Sequence, residues 1–233
     1  MKNKIVHVLC EGQTEQGFVE EVLKPYLLDN GVTSVKSILI STNTKKGTAG
    51  GMYSFSQVHN NLDIIKKSYI DNEYERHVFT TMFDYYELPA SFPEYDKSKN
   101  ITDKYKKVEF LEEAFARYEA EERFIPYIQL HEFEALVFCG LDYLPLLYAG
   151  CEKRIKILND ALKATGNPEL INDNPNTAPS KRIIKAIEGE KAKPFFHYNK
   201  PKTGKFITAK VGIEVLREKC PHFNKWIEGI LNF

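Results

Sequence analysis

The chain has 233 residues, 42% hydrophobic and 27% charged, enough apolar material for a sizeable core in one ordinary domain, which argues against disorder. Its 32 basic and 32 acidic side chains cancel to a formal net charge of zero. The four cysteines, Cys10, Cys139, Cys151 and Cys220, include no Cys-x-x-Cys pair, no secretory-type apolar segment is present, and no apolar run approaches the ~18 residues of a membrane span. A disulfide scaffold, a zinc ribbon and a membrane protein are set aside, and a soluble protein of a reducing cytoplasm is expected.

The zero total hides a division. Residues 1–150 hold 16 Lys and Arg against 23 Asp and Glu, whereas residues 151–233 hold 16 against 9. The downstream excess is either a solvated accident or a surface that meets phosphates.

In chain order, the apolar run at residues 5–10 reads as a strand buried on both faces. Thr14 is placed to cap a helix from Glu15 to about Asp29, which Pro25 kinks or divides. Residues 34–41 read as a second strand and 43–51 (NTKKGTAGG) as a glycine- and lysine-rich loop. Ser54 is the expected cap of a helix in which Val58, Leu62, Ile65 and Tyr69 repeat at helical spacing. HVFTTMFDYY, residues 77–86, reads as a strand ending in acid. A long loop over 87–106, a charged helix near 107–122, a strand from Ile125 to Leu130 and a helix beginning in HEFEALVF follow. Beyond Gly140 the pattern gives helices near 150–164, 180–188, 208–219 and 222–231, with loops at 172–180 and 191–205.

This alternation predicts an α/β fold with a mostly parallel sheet flanked by helices. Residues 1–140 form the expected core and 141–233 a helical extension packed on it.

Three predicted strands end in acid: Glu11 after the first, Asp84 at the end of the third, and Glu132 just past the fourth. In a parallel sheet all three reach the carboxyl edge, where ligands of open α/β sheets bind. Glu134 and Glu15 add further oxygens nearby. Clustered carboxylates raise one another's pKa unless a cation neutralises them, and the fitting ion is hard and divalent, Mg2+ or Mn2+. Any one of these residues alone is accounted for as a helix cap; the convergence of three points to a site. Gly12 would let the chain turn and a ligand approach the backbone. His131 is read as an orienting hydrogen-bond partner, because the second histidine of His-Glu-x-x-His is missing. KKGTAGG lacks the ending of a phosphate-binding P-loop and Gly204-Lys205 is followed by Phe206, so the chain does not read as an ATPase. No Ser-His-Asp or Cys-His-Asn set is positioned for nucleophilic catalysis.

HVLCEGQTEQGFVEEVL, followed far downstream by VFTTMFDYY, resembles the Toprim domain of topoisomerases, primases and OLD-type nucleases. EGQTE, FDYYELPASFP, PYIQLHEFEALVF and CPHFNKWI more closely resemble the bacterial domain of unknown function 4276 family, a Toprim-like family often encoded beside an ABC-type ATPase in phage-defence loci. The resemblance runs from Val6 to Trp226. It implies a Toprim-like sheet, a general base or metal ligand at Glu11, and an Asp-x-Asp metal pair whose first member falls on Asp84. The second member is Tyr86, a departure that leaves a two-metal site short of oxygen ligands. Glu132 and Glu134, with Glu87 as a further candidate, are expected to supply them.

On this reading the chain is a Mg2+-dependent nuclease cutting DNA or RNA, including tRNA, as the abortive-infection effector of an antiviral system with an ABC-type ATPase partner. Glu11, Asp84 and Glu132 are the expected catalytic residues, and Glu11, Asp84, Glu132 and Glu134 the metal ligands. Gly12, Glu15, Tyr86, Glu87, His131, Lys181 and Arg182 are expected around them. Lys181, Arg182 and Lys185 on one helix, and the lysines interleaved with Phe195, Phe196, His197 and Tyr198, suit phosphates and unpaired bases. A homo-oligomer is left open. The rival is a non-catalytic module that docks on the ATPase through its acidic edge or the 87–106 loop.

Overall fold

Alternation within the first strand sets the layers. In β1 (Asn3–Cys10), Val6, Val8 and Cys10 enter one core and Leu9 the other. β3 (Glu75–Asp84) repeats the pattern, with Val78 and Met82 on the first side and Phe79 and Phe83 on the second. Strands covered on both faces read as near-continuous apolar runs, which is why both were legible. β2 (Ser34–Leu39), β4 (Phe124–Ile125) and β5 (Ile128–Gln129) complete the sheet. Its order is β2–β1–β3–β4, with β5 pairing the end of β3, and every pairing is parallel. The chain is therefore α/β with a parallel sheet flanked by helices and a C-terminal helical region. This computed structural model describes residues 2–41, 51–172, 175–189 and 195–233. The loop expected at 43–51 lies outside the described residues except for Gly51, and the loops expected at 172–180 and 191–205 lie partly outside them.

Several boundaries differ from expectation. α1 (Gln13–Phe18) starts at the cap Gly12, not Thr14, and Thr14 is buried inside the first turn. A π-helical turn, Val19–Leu23, joins α1 to α2 (Lys24–Asp29) with helical backbone throughout, so Pro25, the second residue of α2, stands inside one continuous helical run just past the place where the α-helical pattern is interrupted. α3 (Phe55–Ser68) is capped by Ser54 as expected, its side chain accepting from the Gln57 N–H. The 87–106 segment is not all loop: it holds α4 (Tyr95–Ser98) and the start of α5 (Lys104–Glu119), whose cap is Asp103. The strand expected over 125–130 is broken into β4 and β5 around Pro126, which has no N–H for a ladder.

α3 and α5 cover one face through Phe55, Val58, Leu62, Leu111 and Phe115. α1 and the C-terminal helices cover the other. These are α6 (Glu134–Val137) with its 3-10 continuation Phe138–Leu146, α7 (Glu152–Thr165), α8 (Pro179–Glu188), α9 (Lys200–Val211), α10 (Ile213–Lys219) and α11 (Pro221–Asn232). The helix expected at 208–219 is two helices, α9 and α10, divided at Gly212, whose φ of 82° lies in the region that favours glycine. Trp226 of α11 stacks on Tyr127 at 4.2 Å between centroids, and its Nε1–H donates to Thr80 Oγ1 at 2.7 Å. Among the described residues no helix is long and apolar enough to cross a membrane.

Candidate functional site

The site follows from strand register. Cys10 pairs with Met82, so the residue after β1 arrives beside the end of β3. The Glu11 N–H donates to the Met82 carbonyl at 3.3 Å, and the Asp84 N–H donates to Glu11 Oε2 at 3.0 Å. Asp84 also pairs with Gln129 of β5, which brings the following segment alongside. Asp84 Oδ1 accepts the Phe133 N–H at 2.8 Å.

Gly12 N–H donates to Glu15 Oε2 at 2.9 Å, holding the third residue of the helix back over its own start. A Cβ at Gly12 would stand 3.2 Å from that same oxygen. His131 has φ 63°, a left-handed conformation uncommon for a residue with a Cβ. That turn sends Glu132 and Glu134 to different partners. Both oxygens of Glu132 are taken by Ser180, from its N–H at 2.6 Å and its hydroxyl at 3.0 Å, so Glu132 caps α8. Glu134 is fully buried; its Oε1 accepts the Tyr198 hydroxyl at 3.1 Å and its Oε2 lies 3.2 Å from Lys200 Nζ. Lys200 Nζ also donates to Asp84 Oδ2 at 3.3 Å.

Glu11, Glu15, Asp84, Glu87 and Lys200 thus line one pocket of about 350 Å3 at the carboxyl edge of the sheet. A second pocket of about 540 Å3 shares Glu87 and Lys200 and adds Tyr86, Glu132, Glu134 and Tyr198. Of the residues expected at the site, Glu11, Gly12, Glu15, Asp84 and Glu87 meet in the first pocket, and Glu134 joins them through Lys200. Glu132 faces the second. Tyr86 is exposed, its N–H bonded to the His131 carbonyl at 3.0 Å. Lys181 lines the second pocket and, with Arg182, a third cavity whose described lining includes no carboxylate.

The electrostatics are those of an acid surplus. Burial pushes Glu11 up to about 8, with Glu15 and Glu87 adding to the rise and the Asp84 N–H opposing it. Burial likewise pushes Glu134 up to about 7, partly offset by Lys200. Asp84 and Glu15 are raised by burial against the pull of the same ammonium. Burial alone would lower Lys200, but Asp84, Glu134, Glu15 and Glu132 outweigh it and hold the ammonium charged. One cation therefore faces several carboxylates, and a bound hard cation would relieve the rest. Among the described residues no three His, Cys, Asp or Glu side chains form a ready-made metal cage. An ion here would be held by Glu11 and Asp84 with water completing its shell, as suits magnesium.

The sequence sets Tyr198 and the lysines around it, Lys200 included, in a loop suited to phosphates and bases, and does not show that Lys200 and Tyr198 reach the carboxylates. One signal was present: Asn199 accepts the Lys202 N–H at 2.9 Å and Pro201 sits in the first turn, a helix-start pattern visible in NKPK.

A family described as a domain of unknown function (DUF4276) matches residues 10–231. The chain belongs to this family. The DUF4276 match takes in every element from Glu11 through β3, α6 and α9, so all the carboxylates and Lys200 lie inside the shared domain. No curated protein and no solved structure matches this DUF4276 chain.

Proposed function

We propose that this DUF4276 protein is a Toprim-type nuclease, hydrolysing phosphodiester bonds of DNA or RNA with Mg2+ or Mn2+, and that it serves in the cytoplasm as effector of an anti-phage system with an ABC-type ATPase. The supporting observation is the meeting of Glu11 and Asp84, far apart in sequence, as neighbours joined by a 3.0 Å hydrogen bond in a pocket rich in acid. A divalent ion there would polarise a phosphoryl oxygen and lower the pKa of bound water. Glu11 would otherwise take the proton from that water, a role open to it only with a cation bound beside it, because its pKa of about 8 in the ion's absence leaves it mostly protonated at neutral pH. Lys200 is placed to neutralise charge on a phosphate entering between the two pockets.

The test incubates the protein, with and without its ATPase, with duplex DNA, single-stranded DNA and tRNA in Mg2+ or Mn2+. Cleavage is expected, abolished by chelator and reduced on the order of 10²–10⁴-fold by Glu11→Ala and by Asp84→Ala. Cutting that survives both substitutions, or none under any condition, sinks the proposal. A second reading, a non-catalytic module docking on the ATPase, draws on the exposed Tyr86 standing where the resemblance expects an acid; silence in every assay with a tight ATPase complex would support it.

A further inference from the structure

Both carboxylate oxygens of Asp84 are engaged. Oδ1 accepts the main-chain N–H of Phe133, the residue that caps α6, at 2.8 Å, and Oδ2 accepts from Lys200 Nζ at 3.3 Å. The first bond is fixed by the backbone, so Oδ2 is the oxygen an ion would take. An ammonium of the same chain already holds it.

A second carboxylate stands within reach of that ammonium. Glu134 Oε2 lies 3.2 Å from Lys200 Nζ, yet it is buried and, among the described residues, no donor meets it in hydrogen-bond geometry. Its other oxygen accepts the Tyr198 hydroxyl at 3.1 Å, which holds the carboxylate in place. A buried acceptor short of a donor is costly, so Glu134 offers the ammonium an unfilled position. Lys200 is the first residue of α9 and its side chain is 37% exposed, so turning its end from Asp84 to Glu134 disturbs no core packing. An ammonium and a divalent ion on one buried carboxylate oxygen would repel strongly, because the surroundings screen them poorly.

We propose that Lys200 is a resident counter-cation that competes with the divalent ion for Asp84 Oδ2, and that Glu134, instead of ligating the ion, is the positioning residue that takes the ammonium when the ion binds. The inference rests on the metal site of the proposed nuclease and deepens it. Metal occupancy becomes coupled to the direction of Lys200, which turns toward the pocket that it and Glu134 both line.

The test measures Mn2+ binding to the full chain by titration calorimetry, with no nucleic acid present, so the readout is affinity and not activity. Lys200→Met is expected to bind Mn2+ about tenfold tighter than the wild type or better, because the competing charge is gone. Lys200→Arg keeps the charge and is expected to stay within about threefold of the wild type. Glu134→Gln separates an anchor from a ligand. As an anchor it weakens Mn2+ binding in the wild-type background by at least about threefold more than in the Lys200→Met background, whereas loss of a ligand costs the same in both. Thermal melts check that each variant folds, and Lys200→Gln, uncharged and still able to donate to Glu134, replaces Lys200→Met if that variant does not. Binding by the uncharged variant no tighter than wild type, or equal losses from Glu134→Gln in the two backgrounds, overturns this inference and leaves the metal site standing. No Mn2+ binding by any variant overturns the inference and the metal site together.

Discussion

Two buried glutamates show how much a residue's role depends on what its oxygens meet. Glu169 accepts the Phe223 N–H at 3.0 Å on Oε1, and the His222 N–H at 3.1 Å and the Tyr105 hydroxyl at 2.9 Å on Oε2, so it seats the start of α11 and is structural. Among the described residues the Glu11 side chain receives a single N–H, on Oε2, and it opens onto a pocket shared with other acids. That difference gives a pH dependence. Glu11 and Glu134 titrate near 8 and 7 in the folded chain against the ordinary 4.5. The folded state therefore holds protons that the unfolded chain releases. Their stabilising contribution is complete below the ordinary value and is lost as pH rises through 7 and 8. Buried His7 acts in the opposite sense at lower pH, because its pKa is depressed to about 3 from 6.5. The fall should therefore be read above pH ~6.5, where thermal melts in chelator are expected to lose on the order of 1 kcal/mol per pH unit. Glu11→Gln should flatten the slope, and a flat wild-type profile would refute the assignment. Lys200→Met should deepen it by leaving Asp84 and Glu134 without their ammonium. Since Lys200 is 37% exposed, a cost of about 1–3 kcal/mol at neutral pH is expected, below that of a fully buried pair.

At the scale of elements, α9 decides whether Lys200 reaches the site at all. Gly204 stands in its interior, where glycine normally costs ~1 kcal/mol relative to alanine. Here the gain from alanine is forbidden by packing: a Cβ at Gly204 would lie 2.6 Å from Phe133 Cε1 and 3.2 Å from Thr14 Cγ2. Gly140 similarly admits Ile207 of α9, 2.8 Å from where its Cβ would be. Gly204→Ala is therefore expected to destabilise by about 1–3 kcal/mol, the range for overpacking, and to reduce whatever activity depends on Lys200. An unchanged or higher melting temperature would show that α9 shifts freely. The same packing explains what the sequence withheld. β1, β3 and α3 announce themselves through apolar period and, for α3, the Ser54 cap. KPKTGK has no such period, because α9 contacts its neighbours partly through the absence of side chains. Gly12 was legible as a turn, yet its service as the cap paired with Glu15 depends on an oxygen returning from the next turn. Glu132 and Glu134, two residues apart, looked equivalent until the left-handed turn at His131 sent one to Ser180 and the other to Lys200.

For the whole molecule, the division of charge along the chain is partly resolved by contact between its halves. Lys200 meets Asp84 and Glu134, Lys205 meets Glu21 at 2.6 Å, and Lys225 meets Glu109 at 2.8 Å, each basic residue from beyond position 150 and each acid from before it. The exposed pairs contribute ~0–1 kcal/mol apiece, so they orient the halves more than they join them. The joining is hydrophobic. One core places Val6, Val8 and Val78 of the sheet with Phe223, Trp226, Ile227 and Ile230 of α11, and Lys4 Nζ donates to the Ile230 and Leu231 carbonyls at 3.2 and 2.7 Å. A fragment ending at residue 140 would keep α3 and α5 on one face of the sheet and leave much of the other face bare. At ~25 cal/mol per Å2 of apolar area, losing that cover removes more than the ~5–15 kcal/mol by which a domain of this size is stable. The fragment 1–140 is therefore expected to lack a sharp thermal transition and near-ultraviolet circular dichroism and to bind a hydrophobic dye. The full chain should melt in a single transition that adding the separate segment 141–233 to the fragment does not fully restore. A fragment 1–140 that melts cooperatively by itself would show instead that the sheet with α1 to α5 is an autonomous unit, with Lys200 presented to Asp84 by a second, docked body.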